Sequence, residues 1–504
     1  MNVVIFPVLV PLLTAVVLIL WRQPSGGRRL SAAASAAAQL GIALALVTQL
    51  AHGGWRILPV GNWAPPFGIV LSIDLLAALM LALSGLTSLA CLVYGFFELP
   101  VRLEHPLRLP LVQFLVTGIN LAFVTGDLFN LFVAFEVMLI SSYALLTLEA
   151  DNWDIKQAFP YIAVNLVGSA LFLCAAGLIY ALTGTLNYAH LAAVTATQSS
   201  DPRLLAVLLL LLVVFALKAG VFPLYHWLPN SYPTLPIPVA ALYAGMLTKV
   251  GIYVLFRMLT TVFPHDLDFI HRLLAWLAAL TMLLGVLGAI SRNFIRGILS
   301  FHILSQVGFM VLAIGLFTPI SLAAAVLYII HHIVVKSSLF LVGGIVTVLN
   351  RTDDLDHTGN LWRKTPWVGL LFLAQAMSLS GLPPLSGFWG KYLIVVAGLE
   401  LEDYFLVGIS LVASVLTLFS MLKIWLAVFW REDEKVLVND RDPRWHPMTA
   451  VVTVLTVISL GLGIGVEGVL RLAHQAAATA LDQAGYIEAV QQTVQEIGAK
   501  GIGG

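Results

Sequence analysis

Five lysines lie inside apolar runs long enough to cross a membrane: Lys218, Lys249, Lys336, Lys391 and Lys423. One carboxylate, Glu136 in LFVAFEVMLISSYALL, falls near the middle of such a run, while Asp74, Asp127 and Glu467 sit nearer predicted ends. A lysine at mid-bilayer costs roughly 2.5–3.5 kcal/mol on insertion, so an ionisable group there is a functional feature by default. One carboxylate cannot neutralise five ammoniums, and an unpaired buried charge is relieved by a proton coming or going. Reversible protonation is the property a proton relay needs. Lys218, Lys249 and Glu136 stand near the centres of their runs and are read as proton carriers. Lys423, about eight residues from the end of its run, can snorkel to the interface and is read as structural.

The histidines extend this chemistry. His226, His302, His331 and His332 fall inside or beside apolar runs, and the others lie in loops or near run ends. In YIIHHIVVKSSLFLVGG, His332 and Lys336 are four apart and share a helix face. Imidazole titrates near neutral pH, which suits a proton wire. His331 is expected to face another helix and hydrogen-bond there. His302, with Ser305 and Gln306 in SFHILSQVGFM, either connects two halves of a relay or bonds two helices together. Haem ligation by histidines on two helices is the competing use, and scattered single histidines give it little support. Cys91 and Cys174 show no metal-ligand or disulfide spacing.

The elements that must position these groups are membrane helices. Of 504 residues, 60% are hydrophobic and 10% charged, and mean hydropathy is +0.96. A soluble chain carries about 25% charged residues. Apolar segments fall near 2–21, 30–50, 70–96, 107–125, 127–148, 158–182, 203–222, 236–260, 269–290, 296–316, 320–349, 366–399, 404–430 and 447–471. The expected fold is therefore all-α and polytopic, with about fourteen transmembrane helices. The stretch 475–498 is mixed in character and reads as an amphipathic helix on the membrane surface. Residues 2–21 have no basic leader, their first charge being Arg22, and are read as a retained helix. A net charge of zero argues against a nucleic-acid partner, and no phosphate-binding loop follows a strand.

Fifteen lysines and arginines lie in the loops after odd-numbered segments and six on the opposite side. That asymmetry places both termini outside the cytoplasm. Two segments carry internal prolines, GVFPLYHWLP around Pro223 and SLSGLPPLSGFWGK around Pro383 and Pro384. Proline breaks a helix, and a membrane protein tolerates this where the unwound part is buried or lines a cavity. When the segments starting near 107 and 269 are aligned, the two breaks coincide. Segments four to eight and nine to thirteen are read as two five-helix repeats, the second inverted because each holds an odd number of helices. The expected divisions are 1–106, 107–260, 261–431 and 432–504. Gly343-Gly344 is read as either a kink or a close packing contact.

TGDLFNLFVAFEVMLISSYALL, FALKAGVFPLYHWLPNSYP, YAGMLTKVGIYVLFR, HHIVVKSSLFLVGG and GLPPLSGFWGKYL resemble the antiporter-like subunits of respiratory complex I, membrane hydrogenases and Mrp-type cation/proton antiporters. APPFGIVLSIDLLAALM, NLVGSALFLCAAGLIYALTGTLN, FPLYHWLPNSYP, AGYIEAV and the lysine of GFWGK are most similar to the D subunits of the Mrp group. The resemblance implies that Glu136 and Lys218 are a pair in the fifth and seventh helices and that Lys249 is the central lysine of the eighth. It further implies that His332 is the histidine of the eleventh helix and Lys391 the titratable group of the twelfth. Lys336 also matches a family lysine, and no quinone, flavin or metal site is implied.

The function that follows is proton translocation coupled to export of a monovalent cation such as sodium, with other membrane subunits as partners. Separating Lys218 from Glu136 would drive a proton to Lys249 and on through His332 to Lys391. A pumping subunit of a redox complex is the alternative, and a passive scaffold a third. A small cation wants several oxygen ligands, so its site is expected at another subunit or an interface. The bacterial inner membrane is the expected location.

Overall fold

The computed structural model describes residues 3–63, 65–66, 68–196 and 201–501, with side chains to residue 496. Among these, twelve helices are long and apolar enough to cross a membrane, and Arg108–Val124 and Pro366–Ser380 are shorter apolar helices. Together they account for the fourteen segments.

The first helices are α1 (Phe6–Leu20), α2 (Gly26–Leu50) and α3 (Leu75–Glu98). Between α2 and α3 the chain forms an antiparallel hairpin, β1 (Arg56–Pro59) and β2 (Val70–Ile73), pairing Arg56 with Ile73. The all-helical reading overran here, placing the start of the third helix at 70. The backbone of Val70–Ile73 is spent on strand pairing, and the helix starts where the Asp74 carboxylate accepts a bond from Ala77 N.

Next come α4 (Arg108–Val124), α5 (Leu128–Thr147), α6 (Asn152–Thr183), the short α7 (Tyr188–Thr195) and α8 (Pro202–Ala219). Asp127, Asp151, Asn187 and Asp201 cap the last four of these helices with side-chain oxygens. After the break come α9 (Trp227–Ser231) and α10 (Ile237–Arg257), which continues as a π-helical turn to Val262. The second series is α11 (Asp268–Ser291), α12 (Ile295–Leu316), α13 (Pro319–Asn350), the one-turn α14 (Leu361–Lys364), α15 (Pro366–Ser380), α16 (Ser386–Glu400) and α17 (Tyr404–Trp425). It too ends in a π-helical turn, Leu426–Trp430.

The two series match element by element. α6 and α13 are both 32 residues long. α8 and α15 both end on a left-handed glycine, Gly220 (φ 77°) and Gly381 (φ 90°). That backbone region costs an L side chain but not glycine. Isolated backbone bridges join Asp127 to Asn187 and Phe294 to Asp354, at corresponding places in each series.

The chain ends with α18 (Trp445–Ile464), α19 (Val466–Leu481) and α20 (Gln483–Gly501). The expected last span to 471 and surface helix at 475–498 are thus redrawn. Gly461, Gly463 and Gly465 weaken the helix there, and α19 buries an alanine stripe of Ala473, Ala476, Ala477 and Ala480. α10 sits at the centre, with all its residues buried, flanked by the nearly buried α12 and α13. α13 runs unbroken through Gly343 and Gly344, and a Cβ at Gly344 would collide with the Tyr94 hydroxyl and Ile237. Close packing, not a kink, is what these glycines serve.

Candidate functional site

Lys218 occupies the last turn of α8, immediately before the break, and is 4% exposed. Its ammonium donates to Asn165 O at 3.3 Å and Ser169 Oγ at 3.4 Å, both on α6, and lies 5.8 Å from the centre of the Phe135 ring. Among the described residues no ion pair joins it to Glu136. Glu136 Oε1 is buried with no hydrogen-bond partner. The two groups thus make no direct ion pair within 4 Å.

Lys249 is fully buried in the middle of α10, where it donates to Ala244 O at 2.6 Å and Thr248 Oγ1 at 3.1 Å. Gly251 brings α10 against the end of α8, since a Cβ there would lie 2.6 Å from Ala219 N and 2.9 Å from the Lys218 carbonyl carbon. The missing side chain therefore lets the backbones carrying Lys218 and Lys249 touch.

On α13, His332 and Lys336 are both buried, and neither imidazole nitrogen nor the ammonium has a hydrogen-bond partner. The Lys336 ammonium lies 6.0 Å from the centre of the Phe340 ring. Lys391 follows the second break on α16. It donates to Leu379 O at 3.0 Å and Ser380 O at 3.1 Å, the unpaired carbonyls at the end of α15. A cation is favoured at such a C-terminus by the helix dipole, and Phe309 adds a ring face 4.5 Å away.

The remaining histidines divide. His331 is hydrogen-bonded through Nδ1 to Ser386 Oγ on α16, 2.8 Å away, so it does face another helix. His302 reaches Ser420 on α17 at 2.6 Å. Ser305 Oγ is buried without a partner, and Gln306 accepts a bond from Tyr328. His226 stands exposed at the start of α9. Lys423 donates to Ile290 O and Arg292 O at 3.2 and 2.6 Å, capping the end of α11.

Two features escaped the residue pattern. The Asn165 carbonyl and the Ser169 hydroxyl hold Lys218, and Tyr161, Asn165 and Ser169 recur at four-residue intervals on α6, a visible polar stripe. Arg257, counted among the loop cations, is buried in the last turn of α10. It forms a two-armed ion pair with Asp74, which nothing in either local sequence foretells.

The geometry has counterparts. A family model described as NADH:quinone oxidoreductase/Mrp antiporter, transmembrane region, matches residues 125–417. The chain is 40% identical over 489 residues to the D subunit of the Na(+)/H(+) antiporter of Alkalihalophilus pseudofirmus, covering 97% of this chain and 99% of that one. It is similar to a chain of the Mrp complex from Dietzia sp., with a TM-score of 0.89 and 33% identity over 97% of this chain and 99% of that one. Similarity extends to a chain of respiratory complex I from Thermus thermophilus, with a TM-score of 0.78 and 25% identity over 95% and 99%.

Proposed function

The chain belongs to the NADH:quinone oxidoreductase/Mrp antiporter transmembrane family, and from that premise we propose that it is the proton-translocating D subunit of a multisubunit sodium/proton antiporter. It is a multi-pass membrane protein that transports rather than transforms its substrates, and it works beside other membrane subunits.

The observation that carries this reading is how the buried ammoniums are held. Lys218, Lys249 and Lys391 are bonded only by neutral oxygens, and Lys336 has no hydrogen-bond partner. A proton can leave such a lysine without stranding a carboxylate, whereas breaking a buried ion pair costs about 3–5 kcal/mol. The relay runs from Glu136 and Lys218 through Lys249 and His332, with Lys336 beside them, to Lys391. His302, Ser305 and His331 are side connectors, and His226 serves at the exposed first break. Approach of Glu136 to Lys218 supports the ammonium, and their separation releases the proton towards Lys249.

Residues 107–260 and 261–431 form two inverted repeats, with 1–106 and 432–504 flanking them. Both termini face away from the cytoplasm of a bacterial inner membrane. The sodium site lies at another subunit or an interface. Glu136 is the lone carboxylate placed centrally in a span, and it serves the proton.

The test is Glu136→Ala and Lys218→Ala in everted vesicles that report sodium-dependent proton movement by a pH dye. Near-normal exchange in both, with the complex assembled, would sink the relay. The second reading, a pumping subunit of a redox complex, would be favoured if flavin and iron–sulfur proteins co-purified from the native membrane.

A further inference from the structure

A cleft of about 300 Å³ opens where the ends of α3, α5 and α13 meet the starts of α10 and α12. Its walls include Glu98, Leu145, Leu146, Glu149, Thr234 and Arg296. The excess of loop lysine and arginine assigns this end to the cytoplasm. None of the relay groups lines it. Within a turn of Leu145 and Leu146, however, α5 carries Ser142 and Tyr143.

These two residues open a polar line into the apolar interior. Ser142 Oγ and the Tyr161 hydroxyl are 2.6 Å apart, and Ser142 Oγ also donates to Leu139 O at 2.7 Å. The Tyr243 hydroxyl donates to Ser142 O at 2.9 Å and pins this corner. Tyr143 packs edge-on against Tyr161, with ring centres 5.5 Å apart. Its hydroxyl is buried without a hydrogen-bond partner, and so is Glu136 Oε1. The two residues are seven apart on α5, two helical turns or about 10 Å along one face. A buried polar atom left unpartnered is expensive, and two of them facing one strip mark a place where a polar species passes. On α6, Tyr161, Asn165 and Ser169 continue the line at four-residue spacing: the Asn165 amide donates to Tyr161 O, and the Asn165 backbone carbonyl and the Ser169 hydroxyl hold the Lys218 ammonium.

We propose that this cleft is the mouth of the proton-uptake route, and that Tyr143, Ser142 and Tyr161 are the hydroxyl groups carrying protons from it to Glu136 and Lys218. Each hydroxyl accepts a proton on its oxygen as its own proton passes to the next acceptor, then reorients. The net change is one proton lost from water in the cleft and one gained by the Glu136 carboxylate or by a neutral Lys218 amine. The inference rests on the proposed antiport function, since it names how that relay is loaded.

The experiment compares Tyr143→Phe, Tyr161→Phe and Ser142→Ala with wild type in assembled complexes in everted vesicles. Phenylalanine keeps the ring contacts and removes only the oxygen. Exchange should slow by at least about tenfold, the scale of a lost proton-transfer group, with an enlarged solvent deuterium isotope effect that a packing defect would not produce. Wild-type rates and isotope effects in all three, beside lost exchange in Glu136→Gln, would overturn the route and leave the antiport reading standing. A wild-type complex that moves no protons with sodium would overturn both. Should the variants fail to assemble, Thr234→Cys in a Cys174→Ser background decides. A membrane-impermeant thiol reagent applied from the cytoplasmic side should label it and slow exchange, and failure to label, or labelling without effect, overturns the route.

Discussion

Arg257 and Asp74 meet in a buried two-armed ion pair, each arm 2.7 Å long. Tyr253 and Thr261 complete the shell around the guanidinium, at 3.1 and 3.3 Å. The pair ties the end of α10, two turns beyond Lys249, to the start of α3. Its chemistry is opposite to that of the relay lysines. A guanidinium keeps its proton and is held by a full counter-charge, while the ammoniums of Lys218, Lys249 and Lys391 are held by neutral oxygens alone. The same central helix thus carries one cation that anchors and one that exchanges.

That contrast gives the first prediction. Removing one partner, as Asp74→Ala or Arg257→Ala, strands the other charge and should cost about 3–5 kcal/mol. Replacing both with apolar residues of similar volume, Asp74→Leu with Arg257→Met, should cost much less than the sum. Thermal unfolding of the purified protein in detergent checks this. A loss in the double variant equal to the sum of the two single losses would show that the pair is not the anchor.

Lys391 and Lys423 both cap helix ends with their ammoniums, yet they should respond differently to substitution. Lys391→Met leaves the α15 carbonyls bare inside the protein and removes a relay group, so exchange should fall at least about tenfold. Lys423→Met removes a partly buried cap from α11, costing about 1–2 kcal/mol of stability while exchange per assembled complex holds. Measuring dye-reported exchange and melting temperature side by side separates the two roles.

Gly251 offers a third test. A methyl group there would sit 2.6 Å from Ala219 N, so Gly251→Ala should push the end of α8, with Lys218, away from α10. Overpacking of this kind costs about 1–3 kcal/mol, and exchange should fall more than stability does. Gly41 has open space around its Cβ position, so Gly41→Ala should leave both unchanged.

A pH effect is expected in the loop before α18. Arg444 lies 2.7 Å from Asp442 and donates to Glu98 O at 3.1 Å, fastening this loop to the end of α3. The guanidinium holds the Asp442 carboxyl below its ordinary value. A carboxyl lowered on folding stabilises the protein above its unfolded value, about 3.9, and that contribution fades as pH falls through the folded value. Asp442→Asn should therefore cost less than about 1 kcal/mol at pH 6. The difference from wild type should vanish on acidification, as followed by thermal unfolding in a pH series.

What could be read from residues alone was whatever depends on type and spacing. Apolar runs mark spans because the bilayer demands satisfied backbone and apolar side chains over a fixed length. The same logic singles out Glu136 and the five lysines, since a charge in such a run is costly wherever the helix packs. The prolines at 223, 383 and 384 break their helices by local covalent geometry, and the breaks lie where they were expected. Tertiary structure decided what each charge touches. Asp74 and Arg257 are 183 residues apart, and their pairing depends on how α3 and α10 pack, which neither local sequence encodes. For the same reason only the folded chain gives Lys218 the Asn165 carbonyl and the Ser169 hydroxyl as hydrogen-bond partners and sets Lys391 against the carbonyls of the helix that ends before it.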